Sequence, residues 1–213
     1  GVVNGVTYTI VDREMLQQMI ANNEDISKVC TTKITNMSYM VSSSAATIEN
    51  DDMLTWDVSN VTNMSYMFSN NLFAGDLNMW DVSNVTDMKG IFDRNSLGYY
   101  ERHAKYPEIG EWDVSKVTNM SHMFRRNQSD NRGATLNISN WDVSNVTNMS
   151  YMFYRHGKQL PNITDWNVSN VTNMSHMFYQ AEVFNQDIGE WDVSKVTNMM
   201  FMFNGVDFNQ DIG

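Results

Sequence analysis

Six of the chain's seven arginines, Arg94, Arg102, Arg125, Arg126, Arg132 and Arg155, fall in three segments, 93–107, 125–135 and 154–161. Tyr99, Tyr100, Tyr106, Tyr154, His103 and His156 accompany them. The rest of the chain is acidic, with a net charge of −11. A planar guanidinium makes paired hydrogen bonds to carboxylates, and tyrosine brings a rigid apolar body with a polar tip, so both dominate binding energetics at protein interfaces. This composition predicts contact with a macromolecular partner through Arg94, Tyr99, Tyr100, Arg102, Arg125, Arg126, Tyr154 and Arg155. A second group, Tyr66, His122, Tyr151 and His176, recurs at one position of a repeated motif, with Gly90 and Phe201 at the same position and Tyr39 upstream. A stripe of such rings either grips a ligand such as a sugar by stacking or packs on the neighbouring loop.

Carboxylates also recur in register: Asp57, Asp81, Asp113, Asp142 and Asp192, with Asn167 once, and a second file through Asp52, Asp76, Glu108 and Asp187. Like charges stacked at about 5 Å repel by about 1 kcal/mol even in water. Backbone amides at turns, or an oxygen-seeking divalent cation, would relieve this. No segment has the dense acidic spacing of a dedicated calcium loop, so turn capping is the expectation and no metal or cofactor is assigned. Catalysis has no visible machinery. The four histidines are scattered, Cys30 is the lone cysteine, and neither a phosphate-cradling glycine loop nor an HExxH motif occurs. The chain is read as a non-enzyme.

What must position these residues is a repeat. Trp56-Asp-Val-Ser-Asn-Val-Thr-Asn-Met-Ser-Tyr-Met-Phe68 returns, nearly letter for letter, from Trp80, Trp112, Trp141, Trp166 and Trp191, at spacings of 24, 32, 29, 25 and 25 residues. These are all six tryptophans. A unit of this size cannot close a core alone and must bury its apolar face against copies of itself. Relative to each Trp, the apolar positions are three before and two, five, eight, eleven and twelve after. A degenerate copy, 25–48, carries Val29 in place of Trp. Residues 1–24 read as an N-terminal cap: a short strand at 8–11, then a helix opened by Asp12 and carrying Met15, Leu16, Met19 and Ile20. The expected fold class is an α/β repeat solenoid of about 25-residue coils, each with a short strand and a short helical turn. The strand falls either on the segment ending Asp-Ile-x-x-Trp or on Val-Thr-Asn-Met, and the helical turn near Met-Ser-x-Met-Phe. The last residues repeat 184–189 and stop before a tryptophan, which reads as a fragment of a longer array.

The acidic balance disfavours nucleic acid as the main partner, because phosphate binding needs clustered cations. No run of about 18 apolar residues exists to insert into a membrane. Thirteen Asn-x-Ser/Thr sequons, several in the best-defined part of the repeat, argue against a eukaryotic secretory route, since glycans there would block stacking.

Phe184-Asn-Gln-Asp-Ile-Gly-Glu-Trp-Asp-Val-Ser-Lys-Val-Thr-Asn-Met199 resembles the roughly 26-residue repeat of bacterial surface proteins of the BspA-like leucine-rich-repeat group. The resemblance extends over residues 25–213 and implies a leucine-rich-repeat-like solenoid on a bacterial cell surface, in lipoproteins or wall-linked adhesins. It carries no catalytic residue. This chain departs from ordinary leucine-rich repeats by placing Trp, Met and Val where Leu is usual. The resulting expectation is a cell-surface or secreted repeat protein that mediates adhesion to a protein or glycan on host or neighbouring cells. The alternative is a spacer that holds another domain away from the cell.

Overall fold

In the computed structural model, residues 1–3, 5–42, 50–71, 73–95, 106–126, 136–157 and 160–212 are described. The cap is built from short-range signals. The Asp12 carboxylate accepts the amide of Met15 at 2.9 Å and so opens helix α1 (Arg13–Ala21), preceded by strands β1 (Val2–Val3), β2 (Val6–Thr7) and β3 (Thr9–Ile10). Leu16 and Ile20, one turn apart, form its buried face, and Asn23 ends the turn at a φ of 56°. β1 pairs antiparallel with β2. β3 pairs parallel with β4 (Val29–Cys30), which lies in the degenerate copy and so ties the cap to the first repeat. Arg13 adds hydrogen bonds to the Asn36 and Ser38 carbonyls at 2.6 and 2.7 Å. Cys30 is half-buried, with Sγ 3.2 Å from Thr32 Oγ1.

From there each repeat lies on the next. Single parallel bridges join Asn36, Asn63, Asp87, Asn119, Asn148, Asn173 and Asn198 in sequence, all on the Val-Thr-Asn-Met segment. Met64, Tyr66 and Phe68 donate their amides to the carbonyls of Asp87, Lys89 and Ile91, and the same three-step pattern joins the later copies. Between these rungs, Val61 bonds back to Val58 and Met67 to Met64. Successive tight turns therefore set a three-residue step that brings Val58, Val61, Met64 and Met67 to the buried side. That step resembles helical spacing in sequence, yet the described repeat residues form turns and bridges there, and no α-helix.

The buried side is aromatic. All six tryptophans are 3–7% exposed. Trp56 stacks on Trp80 at 6.4 Å and Trp112 on Trp141 at 6.5 Å. Indole Nε1 of Trp56, Trp80, Trp112 and Trp141 donates to the carbonyl of Ile26, Met53, Leu77 and Ile109 respectively, the apolar position of the preceding copy. Beside them run Phe68, Phe92, Phe124, Phe153, Phe178 and Phe203, with centroids 5.5–6.0 Å apart. The acidic file settles locally: Asp57, Asp81, Asp113, Asp142 and Asp192 each accept the amide of the serine two residues on. The side-chain hydroxyls of Ser83, Ser115 and Ser194, and then their amides, hold the carboxyls of Asp81, Asp113 and Asp192 below their ordinary pKa. In the last repeat the apolar positions Val193 and Met199 are exposed.

Trp141→Ala removes a stacked ring and an inter-repeat hydrogen bond together, and is expected to destabilise by about 3–5 kcal/mol in urea unfolding. The same change at Trp56, beside the cap, is expected to cost less. Equal losses would show the array unfolding as one block instead of a sum of neighbouring terms.

Candidate functional site

One file of residues breaks the rule that side chains avoid left-handed backbone. Tyr39, Tyr66, Gly90, His122, Tyr151, His176 and Phe201 occupy the same position of successive repeats, and all have φ between 54° and 62°. Only glycine takes this conformation freely. For other residues it costs roughly 1–2 kcal/mol, least for Asn and Asp. Here aromatic residues hold six of the seven places. The backbone is held from both sides: the amides of Tyr39, Tyr66, Gly90, His122, Tyr151 and His176 donate to the following repeat, as Tyr66 does to Lys89 and His122 to Ser150, and every carbonyl of the file accepts from the residue three on.

The rings stack into a rail. Tyr39 lies on Tyr66 at 4.9 Å, His122 on Tyr151 at 4.7 Å and Tyr151 on His176 at 4.4 Å; His176 meets Phe201 at 5.3 Å and a 53° tilt. Gly90 is the one gap, and the Tyr66 ring fills it. A Cβ there would sit 2.3 Å from the Tyr66 ring, which leans across it. The two ends of the rail, Tyr39 and Phe201, are each more than half exposed, while Tyr66, His122, Tyr151 and His176 are half-buried.

A second file runs alongside, three residues later, through Ser69, Asp93, Arg125, Tyr154, Tyr179 and Asn204. Arg125 grips the Asp93 carboxylate through two nitrogens at 3.2 and 2.9 Å. Burial pushes the Asp93 carboxyl up, and the arginine opposes this. Tyr154 stacks on Tyr179 at 4.9 Å. Arg155 lies 5.3 Å from the Tyr154 ring centre and donates to Gln180 at 2.8 Å. Between the files opens a cleft of about 270 Å³ lined by Tyr151, Tyr154, His176, Tyr179, Phe201 and Asn204.

The arginine strip read from sequence is divided by this arrangement. Tyr99, Tyr100 and Arg102 lie outside the described residues. Arg94 and Arg126 are corrected: expected on surface loops, they are 3% and 2% exposed and bridge one another in parallel across two repeats. The Arg94 guanidinium sits 4.2 Å over the buried Tyr106 ring, which draws it inward although desolvation pushes its pKa down. Arg125, Tyr154 and Arg155 are half-buried; of the three, Tyr154 lines the cleft, while Arg125 is held by Asp93 and Arg155 by Gln180. Of the column read as secondary, His122, Tyr151 and His176 are brought into one stack, while Tyr66 stacks on Tyr39 on the other side of Gly90. Tyr179 was missed; its spacing of 25 from Tyr154 was the available signal. Among the described residues no group of three His, Cys, Asp or Glu is placed to hold a metal ion, and no helix is long and apolar enough to cross a membrane.

The family model described as "Mycoplasma protein of unknown function, DUF285" matches residues 12–99 and again 95–213. The chain belongs to this family. The DUF285 matches take in α1 and every repeat, and they meet in the insertion after the third copy of the motif. No curated protein and no solved structure matches the chain.

Desolvation, with the positive charge of Arg125 and Lys89 behind it, lowers the His122 pKa from 6.5 to about 4, and burial lowers that of His176. Both rings are therefore neutral members of the stack at pH 7. The unfolded chain takes up the His122 proton near pH 6.5 and the folded chain only near 4, so acid favours unfolding across that interval, and the lowered His176 pKa acts in the same direction. The urea midpoint is expected to fall between pH 6.5 and 4, and His122→Phe to flatten that fall. An unchanged slope in the variant would remove His122 from the account.

Proposed function

We propose that this DUF285 chain is the repeat region of an exported bacterial surface protein. In this reading it is a leucine-rich-repeat-like solenoid without catalytic activity that mediates adhesion by binding a macromolecule on host or neighbouring cells. The observation that supports binding is the left-handed aromatic rail. Strained backbone that carries large side chains, repeat after repeat, costs stability that glycine or asparagine would spare. Its rings lie in two runs, Tyr39–Tyr66 and His122 to Phe201, on either side of Gly90; they are exposed at the ends and half-buried between, so ring edges face solvent where a partner could meet them. The sequence resemblance to BspA-like surface proteins supports the location. Arg125, Tyr154 and Arg155 flank the rail and extend it toward the arginine-bearing segments.

The test is binding of the chain to immobilised extracellular-matrix proteins and glycans, at about 0.05 and 0.5 M salt. The paired variants are Tyr66→Ala with Tyr151→Ala, and Arg125→Glu with Arg155→Glu. The rail reading expects the aromatic pair to weaken binding by roughly 30-fold, as loss of interface anchors does. The arginine pair should change it little, and salt only mildly. Steep salt dependence with loss in the arginine pair would move the contact to the arginine segments. Absence of any binding would favour the spacer.

A further inference from the structure

We propose that the cleft between the two files binds one ring of a neutral oligosaccharide, a pyranose seated on Tyr179. This deepens the proposed adhesion and rests on it. Along the second file, Tyr154 and Tyr179 stack in parallel at 4.9 Å and 8°. The next place in that file holds Asn204. The stack thus stops one ring short, and the space of about 270 Å³ that results is lined by Tyr151, Tyr154, His176, Tyr179, Phe201 and Asn204.

The walls of that space are fixed. The Asn204 carbonyl accepts the Gln180 amide at 2.8 Å, and the Asn204 amide donates to the Phe201 carbonyl at 3.3 Å. Phe201 tilts 53° from the His176 plane, breaking the close parallel stacking of the rail beside the same cleft. A preformed site of this kind loses little freedom on binding.

The chemistry of the lining selects the ligand. None of the six side chains carries a formal charge at pH 7, since burial lowers the His176 pKa. Three phenols and a carboxamide, which both donates and accepts, surround aromatic faces. A ligand matched to this needs an apolar face for Tyr179 and Phe201, a rim of hydroxyls for the phenols and Asn204, and no charge. A pyranose meets all three requirements. A single-stranded nucleic acid would also stack, but its phosphates need cations, the lining offers none, and the chain's net charge is −11. An aromatic peptide side chain would fill the volume and leave the polar rim without partners.

The experiment titrates the whole chain with neutral tetrasaccharides of glucose, galactose and N-acetylglucosamine, followed by saturation-transfer NMR. A sialylated trisaccharide, a phenylalanine-bearing peptide and oligodeoxythymidine run as the competing classes. Asn204→Tyr places a ring at the next position of the second stack, filling space in the cleft and removing the Asn204 carboxamide from its rim. It should lower saccharide affinity at least tenfold while leaving the melting temperature unchanged or raised. Met79→Ser, on an exposed side chain away from both files, should leave affinity as it was. Saccharide binding that survives Asn204→Tyr overturns the site. Binding by the peptide, the nucleotide or the acidic sugar alone overturns the ligand class. If matrix proteins bind and no saccharide does, the adhesion reading stands and this inference falls. If nothing binds, both fall.

Discussion

Every repeat depends on the next to satisfy its backbone. The amides of Met64, Tyr66 and Phe68 have their partners in the following copy, and the indole of Trp80 has its partner in the preceding one. Buried amides without partners would cost about 1–3 kcal/mol each, so a copy in isolation has no low-energy state. The tryptophan and phenylalanine columns add apolar burial along the same direction. Register between copies is thereby fixed residue on residue, and whatever one copy displays at its surface is displayed again directly above.

That constraint generates the rail. The turns place the rail residue of each repeat in left-handed backbone, and in four repeats also the residue four places on, Asn70, Arg155, Gln180 and Gly205; along the rail, ring stacking at 4.4–4.9 Å returns part of the strain, about 0.5–1.5 kcal/mol per pair. Stacking alone does not explain the choice of aromatic side chains, because glycine would avoid the strain altogether and the chain uses it once, at Gly90. The gap at Gly90 shows the limit of the geometry: the Tyr66 ring occupies the space a Cβ would need. The acidic file obeys the same register with a different resolution. Each carboxylate accepts its own Ser amide, so part of the cost of stacked charge is met within the turn.

Some of this was legible in the sequence and some was not. The tryptophan and valine columns, the Asp-x-Ser turns and the Asp12 cap are short-range or strictly periodic signals, and such signals survive without knowledge of the fold. The sign of φ at Tyr66 or His122 has no such signal, because propensity assigns left-handed backbone to Gly and Asn and would never place it on Tyr. Spacing also misled where three-residue turns imitate a helix, as at Val61, Met64 and Met67. Arg94 and Arg126 read as surface side chains by type; their burial follows from Tyr106 and from pairing between repeats of unequal length, which no single repeat reveals. Tyr154 and Tyr179 become a stacked pair only when the register is known.

The central claim is that the aromatic residues of the rail are kept for binding, at a cost in stability. Tyr151→Gly tests it most directly, because glycine at a φ of 59° removes the strain along with the ring. Urea unfolding and partner binding measured on the same variant decide the matter. The account predicts a stability within about 1 kcal/mol of the parent, since relief of strain offsets much of the loss of three ring contacts, to His122, Tyr154 and His176, together with loss of binding. A large loss of stability with binding intact would contradict it and make the rail a structural element alone.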